Sequence, residues 1–189
     1  MKRVFGPDLM MEICRRSVFS RHTHFLYGGN AGVAESLKQN LENQFPGIRI
    51  IGTYTPPFRP LTAAERGGLQ GLMLEFAPDY FWVGLSTPKQ EQFMAENSGL
   101  LNCKIMLGVG AAFDIHTGRI QDAPDWIKSL GLQWLHRLCQ EPSRLWKRYL
   151  INNTGFLAQI LLQLTGLRRY QLSRQELTPS RPNAGAAGL

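Results

Sequence analysis

Strand-like apolar runs alternate with helical patterns through residues 7–109, and this alternation restricts the fold more than any other feature. Runs of aromatic, β-branched and other apolar residues bounded by glycine or proline are typical of strands buried on both faces of a parallel sheet. Such strands joined by helices form right-handed crossovers. The sequence therefore predicts an α/β fold with a Rossmann-like, doubly wound parallel sheet. The strand-like runs are 24–27, 48–54, 80–85 and 104–109, and the helical patterns are 7–18, 31–45, 62–76 and 88–97.

The rest of the chain has a different character. Tryptophans and leucines recur at helical spacing after residue 119, and Glu141-Pro142 interrupts the pattern. The last residues are polar and small, which is typical of disorder. We therefore expect a core at 1–118, a helical C-terminal appendage at 119–170 and a disordered tail at 171–189.

Charge and cysteine content limit the partners and the compartment. The net charge is +7, and residues 119–189 hold 10 basic and 4 acidic side chains against 11 and 10 in residues 1–118. This excess indicates an anionic partner such as a membrane surface, a diphosphate or nucleic acid, although charge also serves solubility. Three cysteines without metal-ligand spacing are typical of reduced, cytoplasmic thiols. We find no pattern of a secretory leader and no apolar run long enough to cross a bilayer.

The strand at 80–85 leads directly into a helix start. Thr87 and Pro88 suit the N-cap and the first helical position. Ligands of open α/β sheets bind at the carboxyl ends of the strands, and helix N-termini favour anions. A purely structural alternative is a capping box in which Gln90 reaches back to the cap.

The glycine-rich turn at 28–32 follows the first strand and opens a helix. It is not the G-x-G-x-x-G pattern, and no acidic residue ends the second strand at Thr53-Tyr54-Thr55. An NAD-dependent oxidoreductase is therefore the weaker alternative, and glycines at this turn would let a phosphate approach the backbone closely. Gly28 and Gly29 also suit a tight turn without a ligand.

Seven segments, kept in the same order, resemble the signature motifs of the WecG/TagA/CpsF glycosyltransferases, which form glycosyltransferase family twenty-six. The first of them contains Tyr27-Gly28-Gly29, and the resemblance extends from residue 3 to about residue 165. The segments are 27–29 (YGG), 51–58 (IGTYTPPF), 84–91 (GLSTPKQE), 108–114 (GVGAAFD), 123–126 (APDW), 131–138 (GLQWLHRL) and 141–150 (EPSRLWKRYL).

The resemblance implies a function. It suggests an inverting transfer of a hexose, plausibly N-acetylmannosamine or its uronic acid, from a UDP-sugar. The acceptor would be a lipid-linked diphosphate, on a polyprenyl carrier, in surface polysaccharide or teichoic acid biosynthesis. The implied enzyme needs no metal cofactor, binds no nucleic acid, can oligomerise, and lies peripherally on the anionic inner face of the cell membrane.

The resemblance also implies residue roles. Arg3 and Gln90 would act in catalysis by orienting or stabilising the developing diphosphate charge. Asp114 would recognise uracil, with a turn or helix cap as the alternative. Phe58, or else Tyr54, would stack on the base, with core packing as the alternative for Phe58. The full set of implied substrate-binding residues is Gly28, Gly29, Asn30, Phe58, Lys89, Glu91, Gly110, Phe113, Asp114, Arg137, Arg144 and Arg148.

The appendage is implied to close over the site and to face the membrane. Arg137, Arg144 and Arg148 are spaced by seven and four residues, so they share one face if the helices align, and arginine suits bidentate phosphate binding. The alternative is an ordinary amphipathic helix on the core. The four histidines lack ligand spacing and are expected in solvent or in packing.

Departures from the family pattern limit the expected activity. Family members carry a further N-terminal segment with a Thr-x-Asn stretch and an Ala-Asp-Gly segment whose Asp is the proposed general base. Here Met1 lies just upstream of Gly6-Pro7-Asp8-Leu9, and Gln133 stands where Glu is usual. We expect slow or absent turnover, and the competing class is a non-catalytic UDP-sugar-binding or partner-binding relative of these enzymes.

Overall fold

The computed structural model describes residues 4–167, apart from the side chains of residues 144, 148, 149, 152 and 153. The chain divides into two compact units between Asp122 and Ala123, four residues beyond the boundary expected from the sequence. The tail predicted at 171–189 lies outside the described residues.

A parallel sheet of four strands forms the centre of the first unit. Its order is β2-β1-β3-β4, and every neighbouring pair is parallel. From β1 the chain continues to β2 on one side, whereas β3 and β4 lie on the other side, so the direction of winding reverses between β1 and β3. Gly28 pairs with Gly84 at this position. This confirms the predicted Rossmann-like sheet. The strands are β1 (Thr23–Gly28), β2 (Arg49–Tyr54), β3 (Tyr80–Gly84) and β4 (Ile105–Gly108).

Helices cover both faces of the sheet. On one face Met10, Leu37 and Phe113 are fully buried together with Trp82 of β3. On the other face Leu69 and Met73 pack with Phe81 and Val83. Burial on both faces explains why the strands read as continuous apolar runs. The helices are α1 (Gly6–Ser20), α2 (Val33–Gln44), α3 (Ala63–Phe76), α4 (Lys89–Glu96) and α5 (Ala112–His116).

A buried chain of hydrogen bonds joins β3, β1 and α1. Trp82 Nε1 donates to His24 Nδ1 at 2.9 Å, so the imidazole proton lies on Nε2, which donates to Ser17 Oγ at 2.7 Å. Ser17 Oγ donates in turn to the Cys14 carbonyl at 2.7 Å. Burial, with a smaller effect of His22, lowers the pKa of His24 to about 4 although Asp79 acts in the opposite direction. His24 is therefore held neutral.

A second polar cluster fixes the amino ends of the strands, at the edge of the sheet opposite to their carboxyl ends. Asp79 Oδ2 accepts from the Thr23 amide at 2.7 Å, and Asp79 Oδ1 lies 2.6 Å from Lys104 Nζ. Lys104 and then the Thr23 hydrogen bonds hold the pKa of Asp79 well below its usual range. Three strand starts are thereby joined through one carboxylate.

Three further helices form the described part of the second unit. They are α6 (Asp125–Ser129), α7 (Gln133–Gln140) and α8 (Pro142–Leu164). The interruption predicted at Glu141-Pro142 is confirmed, because α8 begins at Pro142. Within residues 4–167 we find no helix that is both long and apolar enough to span a bilayer.

Many apolar side chains of the second unit are exposed. Trp126, for example, is 64% exposed and Ile151 is 68% exposed. Others that are also exposed are Leu130, Trp134, Leu135, Trp146, Leu150, Phe156, Leu157, Leu161, Leu164 and Leu167.

Candidate active site

Four loops meet at the carboxyl ends of the strands. They are the β1–α2 turn at 29–32, the β2–α3 loop at 55–62, the β3–α4 turn at 85–88 and the β4–α5 turn at 109–111. In open parallel sheets a ligand binds outside this edge, where the winding reverses. For this sheet order that position is the gap between β1 and β3.

Glycines bring the two central loops into direct contact. The Gly29 amide donates to the Gly84 carbonyl at 3.0 Å. Gly28 has φ +130°, and a Cβ there would lie 2.5 Å from Gly84 O, so a side chain is excluded. Gly84 in turn lies on Phe113, whose ring would be 2.6 Å from a Cβ at position 84. The predicted tight turn is therefore present.

The side chain of Phe113 lies inside the core, whereas its implied substrate-binding role would require it at the surface of the site. Its side chain is fully buried beneath Gly84 and Gly29. It supports the turn from below and offers no surface to a ligand in this structure.

The N-terminus of α2 faces the same edge and carries no side-chain cap. Its N-cap is Gly32, and the Asn30 carbonyl accepts from the Val33 amide at 3.0 Å. Glu35 in the first turn is engaged by the Thr53 hydroxyl at 3.0 Å. The helix dipole and first-turn amides make this end favourable for an anion.

The β2–α3 loop presents an exposed aromatic ring. Phe58 is 89% exposed, and Lys89 Nζ lies 3.8 Å from its ring centroid, a cation–π contact. Arg59 pairs with both carboxylate oxygens of Glu65 at 2.7 Å, and Thr62 forms the predicted capping box with Glu65. Arg59 and then Thr62 lower the pKa of Glu65 to about 2. The loop is therefore anchored at its base while the ring stays accessible.

The structure separates the two aromatic candidates for base stacking. Tyr54 is partly buried and stacks on Tyr27 at 5.6 Å between ring centroids. Phe58 is not part of the core, so the core-packing alternative for Phe58 is wrong.

The start of α4 differs from the prediction. The helix begins at Lys89 with Pro88 as its N-cap, the Thr87–Pro88 peptide is cis, and no side-chain cap is present. The Thr87 hydroxyl donates to Glu91 Oε1 at 3.1 Å instead. Both the Thr87 N-cap and the capping box with Gln90 are therefore wrong, because the helix begins at Lys89 and the two side chains bond to Glu91 and to the Gly110 amide.

Gln90 bonds to the neighbouring turn. Its Oε1 accepts from the Gly110 amide at 2.8 Å. This joins the first turn of α4 to the β4–α5 turn and places the half-buried Gln90 carboxamide beside Gly108 at the end of β4.

Asp114 lies in α5 and is half-buried. The short helix is held by His116, whose Nε2 contacts the Pro7 carbonyl at 3.1 Å, and by Asn40, whose Nδ2 donates to the His116 carbonyl at 3.0 Å. Asp114 is thus set just past β4 on an element fixed to α1 and α2.

The three candidate arginines of the appendage are divided between two helices. Arg137 lies on α7, whereas Arg144 and Arg148 lie on α8, because the helix breaks at Glu141. Arg137 Nε is 3.7 Å from Glu141 Oε2. The side chains of Arg144 and Arg148, and all of Arg3, lie outside the described part of the chain.

Neither a cluster of metal ligands nor a reactive buried thiol is found in the described part of the chain. No group of three or more His, Cys, Asp or Glu side chains with metal-binding geometry occurs among the described residues. Cys14 is free and buried, and burial raises its pKa to about 12, so it is inert as a nucleophile.

The parallel sheet and its loops define an α/β protein of the Rossmann-like class, with a candidate ligand site where the winding reverses. The profile of the Glycosyl transferase WecG/TagA/CpsF family matches residues 1–170. The chain belongs to this family.

A curated relative extends the comparison. The N-acetylglucosaminyldiphosphoundecaprenol N-acetyl-beta-D-mannosaminyltransferase of Bacillus subtilis (strain 168) is 30% identical over 151 residues, which cover 78% of this chain. The matched region spans 56% of the length of that relative.

Proposed function

We propose that this chain binds a UDP-sugar and transfers its hexose, of the N-acetylmannosamine type, to a lipid-linked diphosphate acceptor. Membership of a glycosyltransferase family supports the class of reaction. The name of the Bacillus subtilis relative supports the sugar and the acceptor. The observation that carries the proposal is the convergence of an exposed aromatic ring, an uncapped helix start and a glycine turn at the β1/β3 edge.

The nucleotide end of the donor is proposed to lie between Phe58 and Asp114. Lys89 lies over the Phe58 ring, and the exposure of that ring leaves area for a stacked base. A carboxylate accepts hydrogen bonds from base N–H groups, which suits Asp114 to uracil.

The diphosphate is proposed to lie over the Gly28-Gly29 turn and the start of α2. Glycine allows close approach of phosphate to the backbone, and the first-turn amides and the dipole favour the anion. Lys89 adds a cation at the same edge. In the transfer the acceptor hydroxyl attacks the anomeric carbon as the bond to UDP breaks, and charge develops on the diphosphate. Hydrogen-bond donors and cations would stabilise that charge, and we propose Gln90 Nε2 and Arg3 for this role.

The second unit is proposed to lie on an anionic membrane at the cytoplasmic face, where the lipid-linked acceptor is held. Support comes from exposed Trp146, Ile151 and Phe156 and from the basic excess of residues 119–189. Helices with exposed aromatic and aliphatic residues and basic charge bind at the membrane interface.

A single-turnover transfer assay tests the proposal. Excess protein is mixed with radiolabelled UDP-N-acetylmannosamine and a synthetic lipid-linked N-acetylglucosamine diphosphate, and the product is separated by chromatography. Product should form, and Phe58→Ala should reduce it at limiting donor concentration. A positioned base contributes about 10²–10⁴-fold to such a transfer, and excess protein in a single turnover makes slow transfer detectable as well as fast transfer. UDP binding with no product under excess protein would favour the second candidate, a UDP-sugar-binding protein without transferase activity.

A further inference from the structure

The Gln90–Gly110 hydrogen bond connects two loops of the candidate site that are far apart in sequence. Gln90 lies in the first turn of α4, after β3, and Gly110 lies in the turn between β4 and α5. The 2.8 Å bond runs from the Gly110 amide to Gln90 Oε1. The amide orientation of Gln90 is therefore assigned by chemistry, because a backbone N–H can bond only to the carboxamide oxygen.

Gly108 provides the space that this arrangement needs. A Cβ at position 108 would lie 2.5 Å from Gln90 Nε2 and 2.8 Å from Met94 Sδ. The backbone of Gly108 does not have the positive φ that favours glycine, unlike that of Gly110 at φ +55°. Glycine at position 108 therefore leaves space for the Gln90 carboxamide and the Met94 thioether. It is not needed for a special backbone conformation.

We propose that Gln90 has a second, positioning role besides the contact of its Nε2 proposed above: its carbonyl oxygen holds the β4–α5 turn, and Gly108 is required for this placement. The turn leads directly into α5 and Asp114, so the Gln90–Gly110 hydrogen bond sets the position of Asp114 relative to the β3–α4 loop. The consequence for UDP binding rests on the proposed function. The hydrogen bond itself does not depend on it.

The structure provides substitutions that separate this role from folding. Gln90→Met keeps the length of the side chain and removes the acceptor, whereas Gln90→Glu keeps an acceptor. Gly108→Ala displaces the ends of flexible side chains and no backbone, so the sheet should remain folded. Gln92→Met is the matched control on an exposed position of α4, and Gly71→Ala is the matched control where a Cβ meets nothing within 4 Å.

Hydrogen exchange of the Gly110 amide, measured by NMR on the free protein, tests the hydrogen bond. Gln90→Met and Gly108→Ala should each accelerate exchange about ten-fold, the factor for a lost hydrogen bond of about 1.4 kcal/mol. The Gly110 amide of the double variant should exchange no faster than that of either single variant, because both substitutions remove the same hydrogen bond. Gln90→Glu and both controls should exchange like the wild type. Unchanged exchange in Gln90→Met, or in Gly108→Ala, would overturn the proposal.

Calorimetric titration with UDP tests the link to the site. Gln90→Met and Gly108→Ala should weaken UDP binding by a similar factor of about ten, non-additively, while the two controls keep wild-type affinity. Faster Gly110 exchange with unchanged UDP affinity would refute the link between the turn and the site. A wild-type protein that binds no UDP would overturn the proposed function instead, and the exchange measurements would still decide the role of Gln90 and Gly108.

Discussion

Acid should destabilise the first unit through His24, whose imidazole is buried near the amino ends of β1 and β3. The folded pKa is lowered from 6.5 to about 4, mainly by burial. Between these values the unfolded chain binds the proton that the folded protein excludes, so the free energy of unfolding falls as the pH is lowered through this window. One pKa unit corresponds to 1.36 kcal/mol, which gives a loss of about 3 kcal/mol by pH 4.

The structure also provides a non-titrating substitution. In His24→Gln the carboxamide can accept from Trp82 Nε1 and donate to Ser17 Oγ, the two partners of the imidazole. This variant should be less stable than the wild type at pH 7.5, because the new side chain does not reproduce the ring packing against Tyr80. The free energy of unfolding of His24→Gln should nevertheless vary less with pH than that of the wild type, because the carboxamide does not titrate.

Urea unfolding followed by circular dichroism at pH 7.5, 6.5, 5.5 and 4.5 measures this difference. Wild type should lose about 2–3 kcal/mol more than His24→Gln over the range, and the loss should begin near pH 6.5. Parallel pH profiles for the two proteins would refute the assignment of a neutral, buried His24.

Three further outcomes are expected. Phe58→Ala should weaken UDP binding by about 1–3 kcal/mol in calorimetry and Phe58→Trp should retain it, since base stacking needs an aromatic face; equal affinity of both variants would exclude stacking. Asp79→Asn should reduce the free energy of unfolding by about 1–3 kcal/mol in urea, because the Lys104 ion pair and the full acceptor set at Thr23 are lost; an unchanged midpoint would contradict this. The protein should sediment with anionic vesicles at low salt and be released at high salt, and truncation after residue 140 should abolish binding; binding that survives truncation would show that α8 is not the anchor.

The arrangement of the sheet was predictable because its physical signals are local. Burial on both faces gives apolar runs such as 80–85, and the capping box at Thr62 and Glu65 is a short-range pattern. The five-residue helix α5 was missed because one turn and a half carries too little periodicity to stand out.

The contacts of the candidate site were less predictable because they join distant segments. The bond from Gly110 to Gln90 and the Lys89–Phe58 contact depend on which loops the strand order brings together. The start of α4 was predicted one residue too early, because Thr87 and Pro88 match the N-cap and N1 pattern in sequence. In the structure the Thr87 hydroxyl bonds to Glu91 and the helix begins at Lys89.

The claim that the β1/β3 edge of this glycosyltransferase family member holds a uridine nucleotide can be checked by thermal unfolding of the protein with added nucleotides. A ligand that binds only the folded state raises the free energy of unfolding by RT ln(1 + L/Kd), where L is the free ligand concentration, so at equal concentration the tighter ligand stabilises more. UDP should raise the midpoint of unfolding more than ADP or NAD at the same concentration, and Asp114→Ala should remove the difference between UDP and ADP. Equal protection by ADP and UDP, or protection by neither, would contradict the claim.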